Sequence, residues 1–299
     1  MDKFKLETPV LFVVFNRLDT VKKTLKEISK VKPSKIFIAA DGPRTKEEKI
    51  KTDAVRKYIL NNINWKCVVK TRFLSKNLGC KEGVSSAIDW FFKNVKKGII
   101  LEDDCVPNES FFRFSEEMLN KYEKNPKIFS INGYNHIEKL NVPESYYFSK
   151  YYGCWGWSTW RDRWFAQDKT LEDFQNDVKT GKFKEIFKNP VERIWAKRGF
   201  RNALLGKVSA WDYSFGYLHF KKNGLCIKPK VNLLKNIGFM EDSTHTSGNF
   251  IDNRFYCVKT YNLKFPLIHP KEIKANLKDS KKFFRKVLSR IFLKRIFFL

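Results

Sequence analysis

Between Pro9 and Asp104, short apolar runs alternate with longer segments whose apolar residues recur at helical spacing. This is the pattern of βαβ units that build a largely parallel sheet. Pro9 to Phe15 reads as a strand buried on both faces, and Thr20 to Val31 as a helix with Val21, Thr24, Leu25 and Ile28 on one side. Lys35 to Ala40 forms a second strand closing on Asp41-Gly42-Pro43, followed by a Lys/Glu-rich helix from Lys46 to Asn61. Trp65 to Arg72 makes a third strand. A turn at Gly79 leads into a helix aligning Val84, Ala87, Ile88, Phe91 and Val95, and the run from Gly98 then ends in Glu102, Asp103 and Asp104. The strand ends at Asn16-Arg17, Asp41-Gly42, Phe73 to Gly79 and Glu102 to Asp104 should therefore share one edge, where open α/β sheets bind ligands.

Beyond Asn108 the pattern turns to aromatics and loops. Ile128 to Ile131 and Tyr146 to Ser149 read as strands, Leu171 to Val178 and Val191 to Leu205 as helices, and Trp155 to Trp164 is dense in Trp. No repeat or low-complexity linker divides the chain. The expectation is one α/β domain over residues 1–265, divided at 107/108 into a regular and a more variable half, and a basic tail over 266–299.

Composition changes this picture in one respect. Lys and Arg number 59 against 32 Asp and Glu, a net charge of +27, which favours polyanionic partners without choosing among nucleic acid, acidic membrane and phosphorylated substrates. No zinc-finger, RNP-type or Gly-x-x-Gly signature accompanies the charge, so nucleic-acid binding is not expected. The six cysteines show no Cys-x-x-Cys pair and read as reduced and mostly buried. The N-terminus lacks the apolar core of a signal peptide, and no window is apolar enough to span a bilayer. A cytoplasmic protein, or one peripheral on the cytosolic face of the inner membrane, is the expectation. The tail supports the second: Lys281 to Leu299 alternates basic and apolar pairs without one acid, as suits an amphipathic helix on an anionic membrane surface. Docking onto the protein's own body, or onto a partner, is the competing reading.

The candidate chemistry begins with Glu102, Asp103 and Asp104. Clustered carboxylates at a strand end suit Mg²⁺ or Mn²⁺, which can grip a diphosphate; the alternative is that Asp103 or Asp104 caps the helix starting near Asn108. Asp41 could accept from a base or ribose, with Gly42 making the tight turn. Asn16 and Arg17 could meet a base edge or phosphate, or merely cap the next helix, and Asn77-Leu78-Gly79 turns an amide toward the same edge. Trp155, Gly156 and Trp157 offer indole faces that a sugar ring could stack on, against the alternative of an aromatic core corner. Asp212, between Trp211 and Tyr213, is either a desolvated general base or a buried structural acid. His245, in a polar loop, could complete a Mn²⁺ shell or simply face solvent.

In their order and spacing, these features resemble the GT-A class of nucleotide-sugar-dependent glycosyltransferases across Pro9 to Gly248, and within it bacterial relatives of the N-acetylglucosaminyltransferase I group. The resemblance implies a GT-A, Rossmann-like, mostly parallel sheet with helices on both faces, a nucleotide-binding half over 1–107 and an acceptor half over 108–265. It implies that Asp41 contacts the uracil or ribose of a UDP-sugar, that Asp103 holds ribose or a metal-bound water, and that Asp104 is the direct Mn²⁺ or Mg²⁺ ligand. Asn16, Arg17, Asn77, Lys81 and Glu102 join the donor-binding set, Glu102 by supporting the strand end. Trp155, Gly156 and Trp157 would border donor sugar and acceptor, and Asp212 would be the base of an inverting transfer to a glycan or lipid-linked acceptor in surface polysaccharide synthesis. His245 would be a second metal ligand. A sugar-phosphate nucleotidyltransferase is the enzymatic alternative, but it would want a Gly-rich phosphate loop, and Phe15-Asn-Arg-Leu-Asp19 has no glycine.

Overall fold

The computed structural model describes residues 4–238 and 258–285. β1 (Val10–Val14), α1 (Leu18–Val31), β2 (Lys35–Ala40), α2 (Lys46–Asn62), β3 (Val68–Phe73), α3 (Gly79–Asn94) and β4 (Lys97–Glu102) follow one another as the apolar pattern predicts. The four strands are parallel in the order β3-β2-β1-β4. Their side chains alternate between two covered faces. Val10, Phe12, Ile36 and Ile38 pack with Val21, Leu25 and Ile28 of α1 and Val55 and Ile59 of α2, while Leu11, Phe37 and Ile100 pack with Val84, Ala87, Ile88 and Phe91 of α3. β3 is the edge, largely exposed, and starts at Val68 rather than Trp65 because only the stretch opposite β2 finds a partner.

The second half adds β5 (Cys105–Pro107), α4 (Glu109–Lys121), β6 (Ile128–Asn132), β7 (Tyr146–Ser149) and β8 (Trp157–Trp160). Then come α5 (Arg161–Phe165), α6 (Glu172–Lys179), α7 (Lys182–Ile186), α8 (Pro190–Leu204), α9 (Asp212–Lys221), β9 (Leu225–Pro229) and β10 (Leu234–Asn236). β8 runs antiparallel between β4 and β6, and β9 and β7 complete an eight-stranded sheet ordered β3-β2-β1-β4-β8-β6-β9-β7. β5 and β10 pair antiparallel beside it. The result is the expected α/β architecture, a mostly parallel sheet with helices on both faces.

The C-terminal boundary differs from the expectation. Leu263 and Leu267 are buried, Ala275 bridges to Phe148 of β7, and residues 277–285 form a helix, α10, against the same edge. Its Asp279 is fully buried and accepts from Tyr147 Oη at 3.1 Å and Ser149 Oγ at 2.5 Å, while Phe283 stacks on Tyr151 with centroids 4.0 Å apart. Residues 266–285 are thus part of the body, because buried partners hold them there; a separate tail has only 286–299 left to it, outside the described residues. Among the described residues, no helix is long and apolar enough to cross a membrane.

Candidate active site

The C-terminal ends of β1, β2 and β4 open into a cleft of about 1060 Å³, lined by Asn16, Arg17, Asp41, Asn77, Glu102, Asp103, Asp104 and Trp155 among others. The parallel register makes this convergence unavoidable: Val13 of β1 lies opposite Glu102 of β4 and Ala39 of β2. Asp103 and Asp104 form the turn between β4 and β5. They do not cap α4, whose N-cap is Asn108, with its own side chain accepting from Phe111 N at 3.2 Å. Thr24 of α1 donates to the Asp103 carbonyl at 2.8 Å, and Ile237, just past β10, donates to the Asp104 carbonyl at 2.9 Å, so the turn is held from both sides. A Cβ on Gly238 would lie 2.1 Å from Asp104 Oδ2, which restricts that close approach to glycine.

Arg17 sits between the two aspartates. Its guanidinium forms a very short ion pair with Asp103 and a 2.9 Å pair with Asp104 Oδ2. Burial works against the charge on Arg17, but the two carboxylates outweigh it and raise its pKa. One cation does not neutralise three acids, however. Burial raises the pKa of Glu102, with repulsion from Asp104, Asp103 and Asp212 adding to it, and burial likewise raises Asp103 despite Arg17.

Asp212 opens α9, and Trp211 before it is stacked on Trp157 with centroids 5.5 Å apart. The acid does not line the cleft, yet its charge raises the pKa of Glu102 and Cys80 at the cleft floor. Burial raises the pKa of Asp212 itself, against a hydrogen bond from the Cys154 thiol.

Several expected roles change. Asp41 is engaged by the backbone: its carboxylate accepts from Gly42 N at 2.8 Å, Leu78 N at 2.9 Å and Gly79 N at 3.1 Å. Asn77 donates to Gly42 O at 2.7 Å and accepts from Gly79 N at 3.0 Å. The two motifs thus serve each other, fixing the start of α3 by a carboxylate on its amide groups. Trp157 is fully buried in β8 and has no face left for a sugar, and buried Gly156 takes φ +54° beneath Leu234. The core-corner alternative therefore holds for Trp157, and of the pair only half-buried Trp155 lines the cleft, edge-on to Tyr134 at 4.8 Å. Lys81 is exposed on α3, outside the cleft lining. His245 lies outside the described residues. Of the five described cysteines, all free, only Cys105 and Cys226 are buried.

The sequence pattern did not single out the basic rim. Lys23, Arg44, Lys51 and Arg72 line the same cleft. Arg44 follows the end of β2, but Lys23 and Lys51 lie within α1 and α2 and Arg72 within β3, so the general excess of Lys and Arg hid them.

Does the donor set suit a divalent cation? Among the described residues, no three His, Cys, Asp or Glu side chains form a ready cage. Mg²⁺ and Mn²⁺ in nucleotide sites commonly take one or two carboxylates, with phosphate and water completing the shell. Glu102, Asp103 and Asp104 lie together in the cleft lining, with Arg17 paired to the two aspartates and Asp104 half-buried. Carboxylate oxygens gathered in this way fit a hard cation.

No protein-family model matches the sequence, and no curated protein matches it either. The finer likeness to the N-acetylglucosaminyltransferase I group thus has no such support. Among solved structures, the chain is similar to the mannosyltransferase PcManGT from Pyrobaculum calidifontis, in complex with GDP-Man and Mn²⁺, at 10% identity and a TM-score of 0.34. That match covers 57% of this chain and 47% of the mannosyltransferase, so the chain spans about half of its length. HddC from Yersinia pseudotuberculosis, complexed with GMP-PN, is similar at 9% identity and a TM-score of 0.31, over 52% of this chain and 77% of HddC. Likeness at this level says nothing of activity, donor or metal for the present chain.

Proposed function

We propose that the protein is a nucleotide-sugar-dependent glycosyltransferase that moves a sugar from a nucleoside diphosphate, UDP by the sequence resemblance, to a hydroxyl of a glycan or lipid-linked acceptor in surface polysaccharide synthesis. The supporting observation is one arrangement: Arg17, Asp103 and Asp104 in a strand-end cleft with a basic rim, and half-buried Asp212 within electrostatic reach of Glu102 in its lining.

The chemistry follows from charge. The acceptor oxygen attacks C1, the C1–O bond to the diphosphate breaks, its electron pair leaves with the diphosphate, and the hydroxyl proton passes to Asp212. A single base opposite the leaving group gives inversion. Asp212 suits the role because burial raises its proton affinity. Basic groups of the rim stabilise the negative charge growing on the diphosphate, most effectively where the cleft excludes water. A divalent cation, held by Asp104 with Asp103 in support, would add Lewis-acid stabilisation of the same leaving group.

A donor screen tests this reading. Thermal shift with UDP-, GDP- and CMP-sugars, with and without Mn²⁺, should identify one nucleotide class; at a hundred times its Kd a ligand stabilises by about 2.7 kcal/mol. Asp104→Ala should abolish the Mn²⁺-dependent part of the shift and the accompanying turnover. No shift with any nucleotide would refute the transferase reading, and undiminished metal dependence in Asp104→Ala would refute the ligand assignment.

A further inference from the structure

The excess of positive charge is not spread evenly, and α8 and α10 show where part of it is concentrated. The two helices are neighbours: Trp195 of α8 lies 5.8 Å from Phe283 and 6.4 Å from Phe284 of α10, centroid to centroid. α8 carries one acid, Glu192, and α10 carries one, Asp279. Both are buried and engaged inward. Glu192 pairs with Lys150 at 2.6 Å and accepts from Tyr151 Oη at 3.1 Å, while Asp279 is held by Tyr147 and Ser149. The charged side chains that the helices present outward are therefore all cationic, among them Lys197, Arg198 and Arg201 on α8 and Lys278, Lys281 and Arg285 on α10, each exposed.

Apolar side chains share those outward faces. Ile194, Lys197, Arg198 and Arg201 follow one another at the i, i+3, i+4, i+7 spacing of a single helix face, opposite buried Ala196, Phe200 and Ala203. Ile194 is 69% exposed, and Leu277 on α10 is 74% exposed. Exposed aliphatic residues interleaved with cations, with no outward acid, match an interface with acyl chains below and anionic headgroups around. A nucleic acid would use the cations but would give Ile194 and Leu277 nothing to enter. Residues 286–299, outside the described ones, have four more Lys or Arg and no acid in sequence.

We propose that the joined outward faces of α8 and α10 are a docking surface for an anionic lipid bilayer. Its value to the protein rests on the reading that the acceptor is lipid-linked, since docking would hold the cleft near such a substrate. The surface itself, however, is assigned from charge and exposure, independently of the cleft.

The test is co-sedimentation of the full chain with phosphatidylcholine vesicles, with and without phosphatidylglycerol. Wild type should bind the anionic vesicles and not the neutral ones. Arg198→Glu combined with Arg201→Glu should weaken binding at least about tenfold, and Ile194→Gln severalfold with no change of charge. Residues 286–299 stay in place in both. Unchanged melting temperatures would show that the variants fold, and an unchanged donor-induced thermal shift would separate this surface from the cleft; failure of the donor screen alone would leave the vesicle result standing. The proposal is overturned if wild type ignores anionic vesicles, if the charge-reversed variant binds them as wild type does, or if the variants lose affinity for a duplex oligonucleotide while keeping it for vesicles.

Discussion

At the scale of the residue, two acids of the site meet opposite demands. In the proposed transfer, Asp104 has to hold positive charge, and Arg17 already lies against it; Asp212 has to take up a proton, and burial raises its affinity for one. Replacing Asp212 by Asn should therefore lower kcat by about 10²–10⁴, the usual contribution of a positioned base, while calorimetry finds donor affinity unchanged. The sign of the pH dependence follows. A base works unprotonated, so kcat falls as pH drops through the Asp212 pKa, and because burial raises that pKa the acid limb should stand above the value near 3.9 of a free aspartate. The Cys154 hydrogen bond opposes the shift, so Cys154→Ala should move the limb further up, and the residual rate of Asp212→Asn should lack it. An unmoved limb in Cys154→Ala would dissociate the thiol from the base. The place of Asp104 in the cleft was legible in the sequence, because a carboxylate at the end of an apolar strand falls at the sheet edge. The backbone partners of Asp41 and Asn77, Leu78 N and Gly42 O, lie 37 and 35 residues away, and residue type says nothing of such pairing, although both side chains line the cleft.

At the scale of the element, legibility followed amphipathicity. β1, β2, β4, α1 and α3 show one apolar face or an apolar run, so their order was readable from periodicity. β8 was missed because it lies inside the sheet with all four residues of Trp157–Trp160 buried, leaving no alternation to detect, while its flanking glycines suggested a loop. α9 was missed for a related reason: it is buried on several sides, through Ser214, Phe215, Tyr217, Leu218 and His219, and has no polar face to mark its period. The lock between the β2 end and the start of α3 shows what such elements do for the cleft. A Cβ on Gly42 would lie 2.3 Å from the Lys76 backbone carbon, a contact no side-chain rotation relieves. Gly42→Ala should force that loop away, breaking the Asn77 and Asp41 bonds together. The expected result is a loss of about 1–3 kcal/mol in urea unfolding with weakened donor binding and an unchanged acid limb in kcat. Wild-type stability in this variant would mean that the loop moves freely and does not shape the cleft.

At the scale of the whole molecule, the question is where the folded body ends. Basic, alternating sequence near the C-terminus reads as a separable tail, but Ala275 and Asn276, just before α10, pair with Phe148 on the β7 edge of the eight-stranded sheet, an edge that would otherwise offer unpaired backbone to other chains. The sequence concealed this because the anchor is one aspartate among lysines, Asp279, whose partners Tyr147 and Ser149 lie 132 and 130 residues earlier. The two readings predict different energies. If α10 were an appendage, Asp279→Ala would change stability by no more than about 0.5 kcal/mol, as for an ordinary surface substitution. As part of the body, Asp279 takes the shorter bond of two buried hydroxyls, leaving Tyr147 with Asn135 Oδ1 at 3.3 Å and Ser149 with the Tyr151 carbonyl at 3.4 Å when truncated, so a loss of about 1–3 kcal/mol in total is expected. Urea unfolding separates the cases: the midpoint should fall with the m-value unchanged. Asp279→Asn, which keeps one acceptor oxygen, should recover part of the loss. A midpoint unaffected by Asp279→Ala would detach α10 from the fold, and with it the joined cationic face shared by α8 and α10.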